Sequence, residues 1–259
     1  MSGPLIIKIG GRALEEQTGR DELWKVILRL HERHGVVLMH GGGAAVDRQL
    51  AKLGLVSEKR DGIRITPAEH VEQIVGVLAG VMNKGLVGAI NRCGGRAVGL
   101  CLGDGKIATT SKTKRFSFDA GRVGEVTATD DSLLKTLLAA KFLPVVSSIG
   151  IDDNGDFLNV NADDAATGLA RRIGASALIL LTDVAGIKGA RGIESQLSHS
   201  QIEAMIADGT ISGGMVVKAR TAAETAKEAG IAVVIVSGES AEPLKLWAQG
   251  NEVGTRVIP

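Results

Sequence analysis

Aromatic side chains are scarce in this 259-residue chain, which has four Phe, two Trp and no Tyr. Its core must therefore be assembled from Val, Ile, Leu and Ala, the composition of a sheet buried on both faces. Platforms on which bases or sugars could stack are equally scarce, so a ligand would be held by backbone groups and charge. Net charge is missing too. Thirty Lys and Arg stand against twenty-nine Asp and Glu, which argues against a polyanion-binding surface and against a nucleic-acid partner. The two cysteines, Cys93 and Cys101, have no His or Cys near them at metal-ligand spacing, so reduced thiols and no metal site are expected. Uninterrupted apolar runs fall short of the roughly 18 residues a membrane span requires. The start, Met1-Ser2-Gly3-Pro4, lacks the basic segment of a secretion signal. A cytoplasmic protein without a membrane partner is expected.

Glycine is abundant, with 35 residues against a usual share of about 7%. Two of its clusters follow apolar runs. Residues 5–9 (LIIKI) read as a buried strand ending in Gly10-Gly11, and residues 36–39 as another ending in His40-Gly41-Gly42-Gly43. Helices are predicted over 21–32, between those strands, and over 44–53, a βαβα rhythm that implies parallel strands joined by crossovers. Asp61-Gly62 marks a hairpin over 58–66, and Pro67 opens a long helix to about residue 91. Strands follow at 96–102, 143–147, 177–181 and 231–236, with helices at 130–140, 162–173, 200–207 and 216–229. Asp153-Asn154-Gly155 turns another hairpin. The polar stretch 107–127 fits an antiparallel hairpin or flap whose charges, Lys112, Lys114 and Arg115, form a solvated edge. With no Pro- or Ser-rich linker, two closely packed lobes are expected, 1–175 and 176–259.

Glycines at a strand-to-helix turn either relieve sterics or let backbone N–H groups approach an anion beside a helix N-terminus. Neither cluster is a Walker loop or a dinucleotide fingerprint. Lys8 interrupts the apolar run LIIKI just before a glycine turn. A charge there either reaches to solvent or points into the crevice at the carboxyl ends of the strands. Lys218 lies near the start of a helix, where the dipole disfavours a cation, so either solvent or an anion accounts for it. The segment Asn159-Val160-Asn161-Ala162-Asp163-Asp164 is more polar than helix capping alone requires. Arg64, on the first hairpin, is either a surface residue or a fork for a carboxylate. Asp183, after the apolar strand 177–181, is a turn cap or a site residue. The five His form no triad. Two lysines, glycine amides and a carboxylate together describe phosphoryl transfer without a P-loop, a reaction that needs positioning and electrostatics rather than a protein nucleophile.

The motifs LIIKIGG, VVLMHGGG, DGIRITP, GRVGEV, LPVVSSIG, NVNADDAA, LLTDVAGI, GGMVVK and the terminal GTRVI occur in this order in the N-acetylglutamate kinases. The chain resembles that branch of the amino acid kinase superfamily over nearly its whole length. The resemblance implies a three-layer αβα sandwich around a mainly parallel sheet, with an amino-acid lobe first and an ATP lobe second. It implies transfer of the γ-phosphoryl group of ATP, with Mg²⁺, to the side-chain carboxylate of N-acetyl-L-glutamate, a step of arginine biosynthesis. Lys8 and Lys218 would stabilise the migrating group from opposite sides, Asp163 would orient both, and Gly11 and Gly42 would donate backbone hydrogen bonds. Gly42, Gly43, Arg64 and Asn159 would hold the acid, with Arg64 on its α-carboxylate. Gly10, Asp183, Val184, Gly186, Ile187, Lys188, Ile211, Gly213, Gly214 and Met215 would surround the nucleotide. Family members dimerise, so a homodimer is expected. The chain starts at the first strand, like members insensitive to arginine. The stretch 110–118 is the least family-like part. Rival readings are a sibling kinase acting on a carrier-bound aminoadipate, carbamate or UMP, against which the Arg64 hairpin and the NVNAD segment argue, and a non-catalytic sensor on the same fold, against which both lysines and Asp163 argue.

Overall fold

Short β-branched runs alternating with amphipathic stretches set the order of elements in the computed structural model, which describes residues 3–10, 14, 20–60 and 62–259. The first half begins with β1 (Leu5–Ile9), α1 (Asp21–His34), β2 (Val36–His40) and α2 (Gly43–Lys52). A short hairpin, β3 (Lys59–Arg60) and β4 (Ile63–Arg64), leads to α3 (Ala68–Arg92). Then come β5 (Ala97–Cys101), β6 (Ala108–Lys112), β7 (Val123–Thr129), α4 (Ser132–Ala139), β8 (Leu143–Ser147), β9 (Ile149–Ile151) and β10 (Phe157–Val160). The helix α5 (Ala162–Ile173) carries the chain into β11 (Ala177–Thr182). The remainder is β12 (Lys188–Gly189), β13 (Gly192–Ile193), β14 (Gln196–Ser198), α6 (His199–Ala207), α7 (Gly214–Ala229), β15 (Ala232–Ser237), α8 (Glu242–Ala248) and β16 (Thr255–Ile258).

The main sheet has eight strands in the order β14-β16-β15-β11-β1-β2-β8-β5. Its ladders are parallel except β15 against β16. Strands before residue 175 form one side and strands after it the other, and they meet where β1 pairs β11. A second sheet, β6-β7-β10-β9, contains the antiparallel pair expected in the polar stretch 107–127. Asp61, half of the predicted hairpin turn, lies outside the described residues.

Side-chain alternation along the strands decides the layering. Leu5, Ile7 and Ile9 of β1 join Val36 and Leu38 of β2 in a core covered by Trp24 and Ile27 of α1, Leu50 of α2, Leu86 of α3 and Leu244 of α8. Ile6, Val37 and Met39 point the other way, into a core closed by Leu134 of α4, Ala166 of α5, Ile202 of α6 and Ala223 of α7. This is the three-layer αβα arrangement that the family resemblance implied. It has a direct consequence for two polar residues. Lys8 shares a face with Ile6 and so looks toward α5, whereas His40 shares a face with Leu38 and looks toward α3.

Two features set α3 apart from the other helices. Residues Gly76–Met82 are wound more widely than an α-helix. By length and composition alone α3 could cross a membrane. Core helices pass the same test, and Ile74, Leu78, Leu86 and Ile90 of α3 are buried in the core.

Candidate active site

The glycine turns after β1 and β2, the start of α5 and the β3–β4 hairpin converge on a cavity of about 320 Å³ at the carboxyl ends of the strands. Lys8, Gly10, Gly42, Gly43, Arg64 and Asn159 all line it. A larger cavity, about 420 Å³, opens where β1, β11 and β15 begin, among Leu5, Ala177 and Ala232. It holds none of the residues singled out in the sequence.

Lys8 is held in place by Asp163, 2.9 Å from its ammonium, and only 17% of its side chain is exposed. Local structure makes this pair possible. Asn161 caps α5 by accepting from the backbone N–H groups of Asp163 and Asp164 at 2.8 and 3.2 Å. The cap therefore needs neither aspartate, and the Asp163 carboxylate is left to the lysine. Gly10 gives the ammonium room, since a Cβ there would come within 2.8 Å of Nζ. Gly42 is glycine for two reasons. Its φ of +152° is rarely adopted by other residues, and a Cβ would approach Leu78 Cδ2 to 2.9 Å. Gly11 lies outside the described residues.

A second, smaller cavity of about 140 Å³ adjoins the first, with Lys8 and Asn161 lining both. Asp163, Thr182 and Lys218 are also in its wall, so the two lysines face one space. The partner of Lys218 corrects what the resemblance implied. Asp163 does not hold both lysines. Lys218 Nζ donates to Asp183 Oδ1 at 2.6 Å and to Thr182 Oγ1 at 3.3 Å, because the end of β11 stands next to α7. Hydrogen bonds from Lys218 and Thr182 hold the Asp183 carboxyl down at about 2.

Arg64 is buried rather than on the surface, with 8% exposure. Its Nη1 donates to Asp47 and Ser57, and its Nη2 donates to the Gly43 carbonyl at 2.8 Å. A guanidinium has five N–H donors, so Nε–H and one Nη2–H remain for a ligand. Burial pushes the Asp47 carboxyl up, but hydrogen bonds from Arg64, Lys59 and Ser57 outweigh it and hold the group far below the usual range. Asn159 Nδ2 donates to Thr66 Oγ1 at 3.1 Å, and that hydroxyl donates to the Arg64 carbonyl at 3.1 Å. Sequence reasoning missed Asp47, Ser57 and Thr66. None carries a local signal, and only Asp47, one helical turn past the Gly41–Gly43 cluster, stood where a search could have begun.

Behind the second glycine turn, His40 is fully buried. Its Nδ1 bonds the Gly41 carbonyl at 2.9 Å and its Nε2 meets Asn83 Nδ2 at 3.1 Å. Burial pushes the imidazole down from 6.5 to about 4. Between those values the unfolded chain binds a proton that the folded chain does not, so stability rises with pH there. Falling from pH 6.5 to 4 should therefore remove about 3 kcal/mol. Urea melts across this window should show that loss in the wild type and a flatter slope in His40→Gln. An equal slope in both would assign the loss to other groups.

On the other side of the crevice, Asp183 and Lys188 are exposed, whereas Ile187 and Ile211 are buried in the core. Ile187 offers its backbone, whose N–H donates to Thr255 Oγ1 at 2.8 Å. Gly213 precedes α7 at a φ of 59°, and no side chain caps that helix beside Lys218; Val216 N–H donates to the Gly213 carbonyl at 3.2 Å.

The family profile described as "Amino acid kinase family" matches residues 3–237. The chain belongs to the amino acid kinase family. Within it, the chain is 43% identical over 257 residues to a Colwellia psychrerythraea protein named acetylglutamate kinase, covering 99% of this chain and 97% of that one. A Pectobacterium atrosepticum protein of the same name is 42% identical over 258 residues, covering 98% and 99%. Among solved structures, N-acetylglutamate synthase from Neisseria gonorrhoeae, complexed with coenzyme A and N-acetyl-glutamate, superposes with a TM-score of 0.84 at 23% identity. That match covers 99% of this chain and 59% of the synthase. It shows the shared amino acid kinase fold and nothing about chemistry. The fold and the family read from the sequence motifs both agree with these matches.

Proposed function

We propose that this chain transfers the γ-phosphoryl group of ATP to the side-chain carboxylate of N-acetyl-L-glutamate, giving N-acetyl-L-glutamyl 5-phosphate in arginine biosynthesis. The observation that carries the reading is the pair of joined cavities: one holds Arg64 and Asn159, the other holds Lys218, and Lys8 lines both. Identity above 40% to proteins named acetylglutamate kinase supports it independently.

In this reading the acid lies in the cavity of about 320 Å³ that Arg64 and Asn159 line. Arg64 takes its α-carboxylate through Nε–H and the remaining Nη2–H, and Asn159 and the amides of Gly42 and Gly43 hold the rest. The side-chain carboxylate points toward Lys8. One of its oxygens forms the new bond to the γ-phosphorus as the bond to the β,γ-bridging oxygen breaks and ADP leaves. Charge spreads over the migrating group's oxygens, and Lys8 and Lys218 meet it from two sides. Asp163 keeps the Lys8 ammonium on station, and Asp183 does so for Lys218. The second lobe, residues 176–259, carries the nucleotide beside the first turn of α7, which no side chain caps. No three His, Cys, Asp or Glu side chains among the described residues gather into a metal cage. A Mg²⁺ ion would be carried mainly by nucleotide phosphates and water, where it would neutralise phosphate charge.

Incubation with MgATP and N-acetylglutamate, followed by hydroxylamine, should yield the hydroxamate of an acyl phosphate. Free glutamate, carbamate and UMP should give no ADP release above background; preference for any of them would replace this reading with a sibling kinase. A homodimer joined through the first half also fits. The edge strand β5 leaves one side of the main sheet unpaired, and Val81 of α3 is 75% exposed. Light scattering should give twice the 26.8 kDa chain mass; a monomer at micromolar concentration would exclude that contact.

A further inference from the structure

Half of the chain's four Phe lie in the loop between β6 and β7. Phe116 and Phe118 stack there at 5.2 Å between ring centroids, and the Arg60 guanidinium of β3 sits 4.5 Å over the Phe118 ring. The neighbouring Arg115 turns toward α5. Its Nη2 is 2.5 Å from Asp164 Oδ2 and its Nε is 3.5 Å from Glu125 Oε2. Asp164 directly follows the aspartate that holds Lys8. Contacts therefore run in series from the hairpin bearing Arg64, through the two rings and Arg115, to the first turn of α5. Arg115 and Phe116 also line the cavity that holds Arg64 and Asn159.

We propose that Arg115 is a positioning residue for the acid substrate: by clasping Asp164 it holds the 113–120 loop, and the Phe116 ring with it, against the substrate cavity. This rests on the reading of that cavity as the N-acetylglutamate site. The sequence suggested a solvated edge for this charge run, and Lys112 fits that, pairing within the loop to Asp119 at 3.4 Å. Arg115 behaves differently because both of its carboxylates are themselves restrained. Thr113 Oγ1 donates to Glu125 at 2.9 Å, and the Asp164 backbone is bonded by the Asn161 cap. The far end of the loop is fixed to the same cavity. Thr66 N–H donates to the Ala120 carbonyl at 3.0 Å, and Arg122 N–H donates to the Thr66 carbonyl at 2.6 Å. Thr66 is also the residue that receives Asn159. Both ends of the loop are thus tied to residues of the acid site, and Arg115 is the tie on the side of Lys8.

An exposed ion pair alone contributes little, so the expected effect lies in substrate affinity rather than in folding. Arg115→Ala should raise KM for N-acetylglutamate about five- to tenfold, leave KM for ATP within about twofold and change kcat far less. Arg115→Lys should recover part of the loss, and the reversed pair Arg115→Asp with Asp164→Arg should recover more than either single change. An unchanged KM for N-acetylglutamate, an equal rise for both substrates, or no recovery in the reversed pair would overturn the proposal. A second measurement needs no substrate. Asp164→Asn keeps every tryptic bond at residues 112–115, and trypsin should cut there about tenfold faster than in the wild type. Equal cleavage overturns the clasp. Should the wild type fail to phosphorylate N-acetylglutamate, the functional reading falls, and the trypsin comparison still decides whether the clasp exists.

Discussion

Lys8→Ala is expected to lower kcat by roughly two to three orders of magnitude, the scale of losing one donor aimed at a developing charge. The variant removes an ammonium lining both cavities and leaves Asp163 without its partner at 2.9 Å. Because the lysine acts on charge that grows as the phosphoryl group migrates, KM for either substrate should move much less than kcat. Lys218→Ala should lose a similar factor from the other wall, where Asp183 now holds the ammonium at 2.6 Å. Initial rates of ADP release, measured with both substrates saturating, decide the matter; wild-type turnover in either variant removes that lysine from the mechanism.

Arg64→Ala should act on the other term of the rate law. Two donors of the guanidinium remain after Asp47, Ser57 and Gly43 have taken theirs, and a buried charged hydrogen bond lost from one partner is strongly unfavourable. KM for N-acetylglutamate should rise about a hundredfold, equivalent to about 2.7 kcal/mol, while KM for ATP stays near the wild-type value. Arg64→Lys should rescue little, because an ammonium cannot span Asp47, Gly43 and a ligand carboxylate at once. A matched rise for both substrates would mean that the residue supports the crevice as a whole and does not hold the acid.

What could be read in the sequence was chemistry written locally. Lys8 breaks an apolar run, the glycines end two strands, and either Asn161 or Asp163 stands where α5 needs a cap; each is legible within a few residues. Alternation along β1 even fixes the side of the sheet on which Lys8 must find its carboxylate. Pairings across long separations were not legible. Asn159 meets Thr66 across 93 residues and Lys218 meets Asp183 across 35, and nothing in composition tells a lysine which of two nearby aspartates it will reach. The same gap explains Arg64, whose burial depends on Asp47 and Ser57 being brought around it. It explains Arg115 as well: a charge run looks solvated until the fold sets one of its members against a helix.

One ammonium serving as the common wall of two chambers has a thermodynamic consequence. A negative charge entering either chamber is felt by the same cation, so the two occupancies cannot be energetically independent. Whatever factor a bound nucleotide imposes on the affinity for the acid, the acid must impose on the affinity for the nucleotide. That reciprocity is measurable by titrating each compound with the other present, and in Lys8→Ala the part of it carried by that shared charge should vanish from both titrations together.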